Sequence, residues 1–205
     1  MTGLLHLDAS ARSRSFSRRL GARFADGWRT AHPGARYVHR DLAAEPVPFI
    51  GEAWTELCDE VLRRQITDPR RYHEVVETPA QRAAWAVLAP LLDELLAADV
   101  VLVATPMYNF SVPAALKAWI DQVTFPRMSL AGTRFVVVCA RGGTYLRDFL
   151  AGHFAVTDVD VVAAELVNSL VDPALAARRA EHEASLAAAE TEIDRLVAAY
   201  TALAA

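Results

Sequence analysis

The sequence predicts a doubly wound α/β sandwich of three layers, in which five parallel strands run in the order 2-1-3-4-5 with helices on both faces. Three observations carry that expectation. Short apolar runs alternate with stretches of helical period along the 205 residues. The run Val100-Val101-Leu102-Val103-Ala104 is apolar at every position, as a strand covered on both faces has to be. No repeat or interdomain linker interrupts the alternation, so one architecture is expected to account for residues 1–205.

The first strand is Leu4–Leu7, ending at Asp8-Ala9-Ser10, and a helical pattern through Leu20, Phe24 and Trp28 follows until Pro33-Gly34 stops it. Arg36–Asp41 alternates as a second strand, with Tyr37 and His39 on one face, before Pro46 and Pro48 break the chain. Residues 51–65 are expected to be helical. Thr67–Thr78, with Asp68-Pro69 and several charges, reads as an excursion outside the core. Pro79 opens a long helix marked by Trp85, Leu88, Leu92 and Leu95, which runs into the third strand at Val100. Pro106 ends that strand, and Val112–Thr124 forms the next helix. Arg134–Cys139 is the fourth strand, closed by Gly142-Gly143. A short helix near 145–153, a fifth strand over Val156–Val162 and an Ala-rich helix from Pro173 to about Leu203 complete the pattern. In that last helix, Leu186, Ile193 and Leu196 are expected to pack on the sheet, because its heptads are too few for a coiled coil.

Composition narrows the function. With 53% apolar and 22% charged residues the chain has the material for one core. A formal charge of −4 argues against a phosphate-tracking nucleic-acid surface. Of the 21 Lys+Arg residues Lys117 alone is lysine, a bias that lowers the weight of any single arginine. Cys58 and Cys139 form neither a disulfide framework nor a zinc motif, so a reducing cytoplasm is expected. MTGLLHLDAS lacks a basic leader and no run reaches the length of a membrane span, which predicts a protein neither exported nor inserted in a membrane.

In an open parallel sheet, ligands bind beyond the carboxyl ends of the strands where the strand order switches. That rule gathers three loops. Ser10-Ala-Arg-Ser-Arg-Ser-Phe-Ser17 offers hydroxyls and backbone N–H groups at a helix start, with Ser10, Ser15, Phe16 and Ser17 as phosphate candidates. A plain capping loop is the alternative. Pro106-Met107-Tyr108-Asn109-Phe110 supplies an apolar wall and aimed polar groups suited to a flat heteroaromatic ring, although aromatics at a strand end also serve simply to plug a core. Ala140-Arg141-Gly142-Gly143-Thr144-Tyr145 lets backbone approach a ligand edge, with Arg141 or Tyr145 lining the pocket, or forms just a turn.

The spacing S-x-R-x-x-S-x-S-x-x-L, the run PMYNFSVPAALKAWID and the RGG-T-Y segment resemble the FMN-dependent NADH:quinone oxidoreductase and azoreductase family, over nearly the whole chain. The resemblance implies a flavodoxin-like fold and a homodimer with FMN near the subunit interface. It puts the phosphate on Ser10, Ser15, Phe16 and Ser17, the isoalloxazine against Pro106, Met107, Tyr108, Asn109 and Phe110, and Ala140, Arg141, Gly142 and Gly143 at the flavin edge. NADH or NADPH is the implied electron donor and a quinone, azo compound or similar small aromatic the acceptor, with Tyr145 and Phe125 as substrate-side candidates. Two departures stand out. Ala140 occupies a position where serine is common, and the segment 121–132 is shorter than the usual connection, which implies an altered substrate side.

The chemistry so implied is ping-pong: hydride passes to the N5 atom of the flavin, and two electrons then pass to the acceptor. No side chain is expected to be the catalyst. His6 is expected to be a satisfied sheet residue, the six histidines show no ligand spacing, and no metal site is expected. His153 is a minor substrate-side candidate, Cys139 a small buried hydrophobe, and Arg18-Arg19 decoration of a solvated helix face. Two rivals stay open: a one-electron FMN carrier, separable by whether reduction proceeds in one-electron or two-electron steps, and a specialised biosynthetic flavoenzyme, motivated by the short 121–132 segment.

Overall fold

The computed structural model describes residues 3–109, 111–140, 150–152 and 154–202. Five parallel strands, β1 (Gly3–Asp8), β2 (Arg36–Asp41), β3 (Val100–Pro106), β4 (Arg134–Ala140) and β5 (Val159–Ala164), form one sheet in the order β2-β1-β3-β4-β5. Helices α1 (Phe16–Ala31), α2 (Glu52–Arg63), α3 (Pro79–Leu96), α4 (Ala114–Val123) and α5 (Arg179–Ala202) accompany it among the described residues. The expected topology is the observed one.

Two apolar layers sandwich the sheet, because side chains alternate across each strand. Leu4, Leu102, Val136 and Val138 meet Leu20, Phe24 and Trp28 of α1 and Ile193 and Leu196 of α5. Leu5, Leu7, Val101, Val103 and Val137 face α2, α3 and α4 through Leu57, Leu88, Leu92, Trp119 and Ile120. β1 and β3 are buried at every position, which is why their sequences show no alternation. Edge strand β2 is only partly covered and keeps the polar alternation of RYVHRD.

Three expectations are corrected. The 67–78 segment is not an excursion: its short 3₁₀ helix over Pro69–Val75 buries Pro69, Tyr72 and Val75 in the α2/α3 layer. Its charges misled because they lie on the outer side of about two turns, with every third residue facing inward. The fifth strand starts three residues later than predicted, at Val159, the partner of Phe135; Val156 is buried but donates its N–H to the Leu150 carbonyl rather than to the ladder. The terminal helix begins at Arg179, after a 3₁₀ turn over Pro173–Arg178 that Asp172 caps through the Ala174 N–H. The short helix predicted near 145–153 falls mostly outside the described residues.

Candidate functional site

Register decides what meets at the carboxyl edge of the sheet. Asp8 pairs with Ala104, Thr105 with Cys139, and Pro106 with Ala140, so the loops after β1, β3 and β4 leave side by side. The Ala9 N–H donates to the Ala104 carbonyl and the Met107 N–H to the Ala140 carbonyl, which holds these exits together.

The first loop enters α1 at Ser15, whose extended backbone makes it the N-cap while its side chain caps nothing. No acidic residue stands in the first turn. The leading N–H groups of α1 are therefore left for an outside anion, with the positive end of the helix behind them. The Ser15 and Ser17 hydroxyls lie 2.8 Å apart. Ser10 and Ser17 are buried, and Ser10 Oγ accepts from the Arg12 N–H. The ring of Phe16 packs edge-on to His182 at 5.0 Å between centroids, which leaves the backbone N–H as the polar group Phe16 offers. An open cleft of about 590 Å³ lies over this turn, lined by Asp8, Ser13, Arg14, Ser15, Phe16, Arg18, Arg19 and Ala22. Asp8 is the one carboxylate in that lining and is paired with Arg18, and the first turn of α1 carries none, so these donors fit a phosphate monoester of the kind FMN carries.

Arg18 fixes the loop from behind. Its Nε and Nη2 both donate to the Ser10 carbonyl, at 3.1 and 2.6 Å, and Nη1 and Nη2 form a fork on Asp41 at 2.7 and 2.6 Å. Asp8 Oδ2 stands 3.4 Å from Nη1. The side chain is 18% exposed, which overturns its assignment to a solvated helix face; Arg19, its neighbour at 55%, fits that description. The fork holds Asp41 down to about pKa 2, helped by the Ala44 and Ala43 N–H groups, against desolvation that acts the other way. The Arg18 guanidinium is held charged first by its hydrogen bonds to Asp41. A signal for Arg18 existed in the sequence: aspartates closing strands one and two, and an arginine one turn into the intervening helix.

After β3, the chain reverses tightly. Tyr108 and Ser111 exchange both backbone hydrogen bonds at 2.9 Å, and Asn109 adopts φ 49°, the left-handed region that asparagine tolerates better than most residues. Pro106 is buried, Met107 and Tyr108 are half-buried, and Asn109 is exposed at the tip. Ala140 ends β4 half-buried beside them. Phe110, Arg141, Gly142, Gly143, Tyr145 and His153 lie outside the described residues. Phe125 does not sit on a ligand wall: it is 1% exposed, packed on Tyr72 and Trp54 at 4.6 and 5.0 Å between centroids, and belongs to the core.

A doubly wound sheet with an anion seat at the first helix start and an aromatic turn at the switch point defines a protein of the flavodoxin-like class. A family model described as a flavodoxin-like fold matches residues 2–192. An FMN-dependent NADH:quinone oxidoreductase from Nocardia farcinica is 62% identical over 211 residues, covering 96% of this chain and 98% of the relative. Another protein of that name, from Frankia alni, is 36% identical and covers 97% of this chain and all of the relative (100%). The chain belongs to the FMN-dependent NADH:quinone oxidoreductase family of enzymes. Among solved structures, azoreductase AzrA superposes with a TM-score of 0.76 at 20% identity, covering 96% of this chain and 99% of that one. An FMN-dependent NADH-azoreductase from Bacillus anthracis in complex with FMN gives 0.70 at 16% identity, covering 96% of this chain and 100% of that one; likenesses at this identity bear on the fold alone.

Proposed function

We propose that residues 1–205 act as one FMN-binding unit that passes two electrons from NADH or NADPH to quinones, azo compounds or similar small aromatic acceptors by a ping-pong mechanism. The observation that carries this reading is the uncapped, carboxylate-free start of α1, set by strand register beside the Pro106–Asn109 turn. The names of the relatives from Nocardia farcinica and Frankia alni support the cofactor, the donor and the quinone class. The bound flavin supplies hydride acceptance and donation.

The chain's own residues bind and orient. Ser10, Ser15 and Ser17, with the Phe16 N–H, hold the phosphate; Arg18 keeps the Ser10 carbonyl turned back toward itself, so that the loop presents donors to the anion. Pro106, Met107, Tyr108 and Asn109, with Phe110, form the ring's wall, and Ala140 with Arg141, Gly142 and Gly143 its edge. Ala140 has no hydroxyl, so a contact there is made by backbone alone. Tyr145 remains a substrate-side residue in this proposal. The protein is a homodimer in this reading, which Phe49 and Ile50, apolar side chains exposed by 80% and 36%, favour as surfaces a second copy covers. It works in the cytoplasm; no helix among the described residues is long and apolar enough to cross a membrane.

The test is anaerobic. Protein reconstituted with FMN is expected to bleach in a single two-electron step on adding NADH or NADPH, and to regain its colour on adding a quinone. Reduction in separate one-electron steps would favour a carrier, and protein that does not retain FMN would remove the proposal altogether. Asn109→Leu is expected to weaken FMN binding and slow hydride transfer.

A further inference from the structure

Under α1, beside the flavin seat, the apolar layer of the sheet is interrupted by a polar island. Alternation along β1 puts His6 and Asp8 on the same face as Leu4, the face that α1 covers. Parallel pairing sets His6 opposite His39 and Asp8 opposite Asp41. The two imidazole centroids are 4.7 Å apart. His6 is 2% exposed and Asp8 5%. The helix passes closely here because residue 21 is glycine: a methyl group at that position would stand 2.7 Å from the Ala104 Cβ and 3.0 Å from His6 Nε2.

Buried polar atoms normally find partners. His6 Nε2 and Asp8 Oδ1 face each other at 3.7 Å, and neither has a hydrogen-bond partner among the described residues. His6 Nδ1 lies 3.0 Å from the Tyr37 hydroxyl. In either tautomer of His6 the 3.7 Å gap leaves Nε2 and Oδ1 without a hydrogen bond, and when Nδ1–H donates to the Tyr37 oxygen two buried acceptors face each other. A cation resolves that conflict. His39 Nε2, 2.9 Å from Asp8 Oδ2, supplies a third ligand atom, and one such atom from each residue lies within 4.8 Å of the others. Tetrahedral zinc, with bonds of about 2.0–2.2 Å to N and O, keeps its ligands about 3.3 Å apart, so the three atoms, within 4.8 Å of one another here, draw together on binding.

Charge and access agree with this. Asp8 and Asp41 carry two negative charges against the single positive charge of Arg18, which leaves the island anionic when both imidazoles are neutral. The His39 side chain is 41% exposed and Asp8 lines the open cleft, so an ion has a way in and a fourth position for water. Two imidazoles and one carboxylate suit zinc and its borderline neighbours rather than magnesium or calcium, which prefer oxygen. Tyr37 is then the outer partner that sets the His6 tautomer.

We infer that His6, Asp8 and His39 bind one divalent cation of the zinc class per chain. This inference does not depend on the proposed redox function, and its test has a separate readout. Full-length protein stripped with a chelator is titrated with Zn²⁺ by calorimetry and with Co²⁺ by visible absorption. One saturable ion per chain is expected, with the strong visible bands of four-coordinate Co²⁺. His39→Ala, at a half-exposed position that the fold tolerates, is expected to weaken binding by roughly tenfold or more, and His39→Cys to restore it. Asp8→Asn should weaken it as well. Absence of saturable binding would show that the island holds a proton alone, and binding that neither His39→Ala nor Asp8→Asn alters would place the ion elsewhere; either result overturns the inference.

Discussion

Replacing Arg18 by Met keeps the length of the side chain and removes the side-chain donors that tie the Ser10 carbonyl to Asp41. Four contacts disappear: two N–H bonds to the Ser10 carbonyl and the two-point fork on Asp41. Asp8 and Asp41 are then left near each other without a cation. Breaking a buried ion pair costs about 3–5 kcal/mol and an exposed pair about 0–1 kcal/mol. Arg18 is 18% exposed and Asp41 30%, which puts this pair between those limits, at about 2–3 kcal/mol. In urea, with a slope of about 2 kcal/mol per molar for a chain of this size, the unfolding midpoint should fall by about 1–1.5 M at unchanged slope. Arg18→Met/Asp41→Asn should recover part of the loss, because the second change removes the stranded charge. FMN affinity should drop in the single variant as Ser10 loses its anchor. A midpoint shift below about 0.3 M, equivalent to less than about 0.6 kcal/mol, would show that the clamp does not organise the loop.

Other perturbations test separate parts of the account. Asp41 is held at about pKa 2 against an ordinary 3.8, first by its hydrogen bonds from Arg18, so its folded-state pKa is depressed. The stability it contributes, about 1–2 kcal/mol after allowance for its partial exposure, is complete above about pH 4 and fades as pH falls toward about 2; acid unfolding of Asp41→Asn should be flatter over that window, and equal slopes would count against the pair. Gly21→Ala gains up to about 1 kcal/mol of helix propensity but forces a methyl against Ala104, and a net loss of about 1–2 kcal/mol in thermal or urea unfolding is expected. The Tyr72 hydroxyl is buried without a hydrogen-bond partner among the described residues, and burial pushes its pKa up to about 12. Tyr72→Phe should therefore be neutral or raise stability by about 1 kcal/mol, whereas a loss above that figure would reveal a partner for the hydroxyl.

How much of this was legible from the residues depended on whether the signal was local. The apolar run at Val100 and the alternation of RYVHRD each reflect one strand's own burial, and both strands fall where they were expected. The neighbouring exits at Asp8, Pro106 and Ala140 follow from the same reasoning, because strand order alone decides which strand ends stand side by side. What failed was long-range. Phe125 looked like a pocket residue until Trp54 and Tyr72, far away in the chain, enclosed it. Arg18 looked like surface decoration because its partners, Ser10 and Asp41, come together only when β1 and β2 pair. The histidine grouping escaped for the same reason, since His6 and His39 are too far apart in sequence for any metal-ligand spacing yet stand in register. The 67–78 segment failed differently, as two turns of 3₁₀ helix are too short for a buried side to show against their charges.

The central claim is that the start of α1 holds the phosphate of a flavin nucleotide, and comparing FMN with riboflavin isolates that phosphate. Both ligands are titrated into the flavin-free protein while flavin fluorescence is followed. Charge-assisted contacts to a dianion are worth about 2–4 kcal/mol in total here, so FMN should bind about 30- to 1,000-fold more tightly, and Ser15→Ala/Ser17→Ala should shrink the difference. Equal affinities for the two flavins, or a difference that the double substitution leaves intact, would contradict the account.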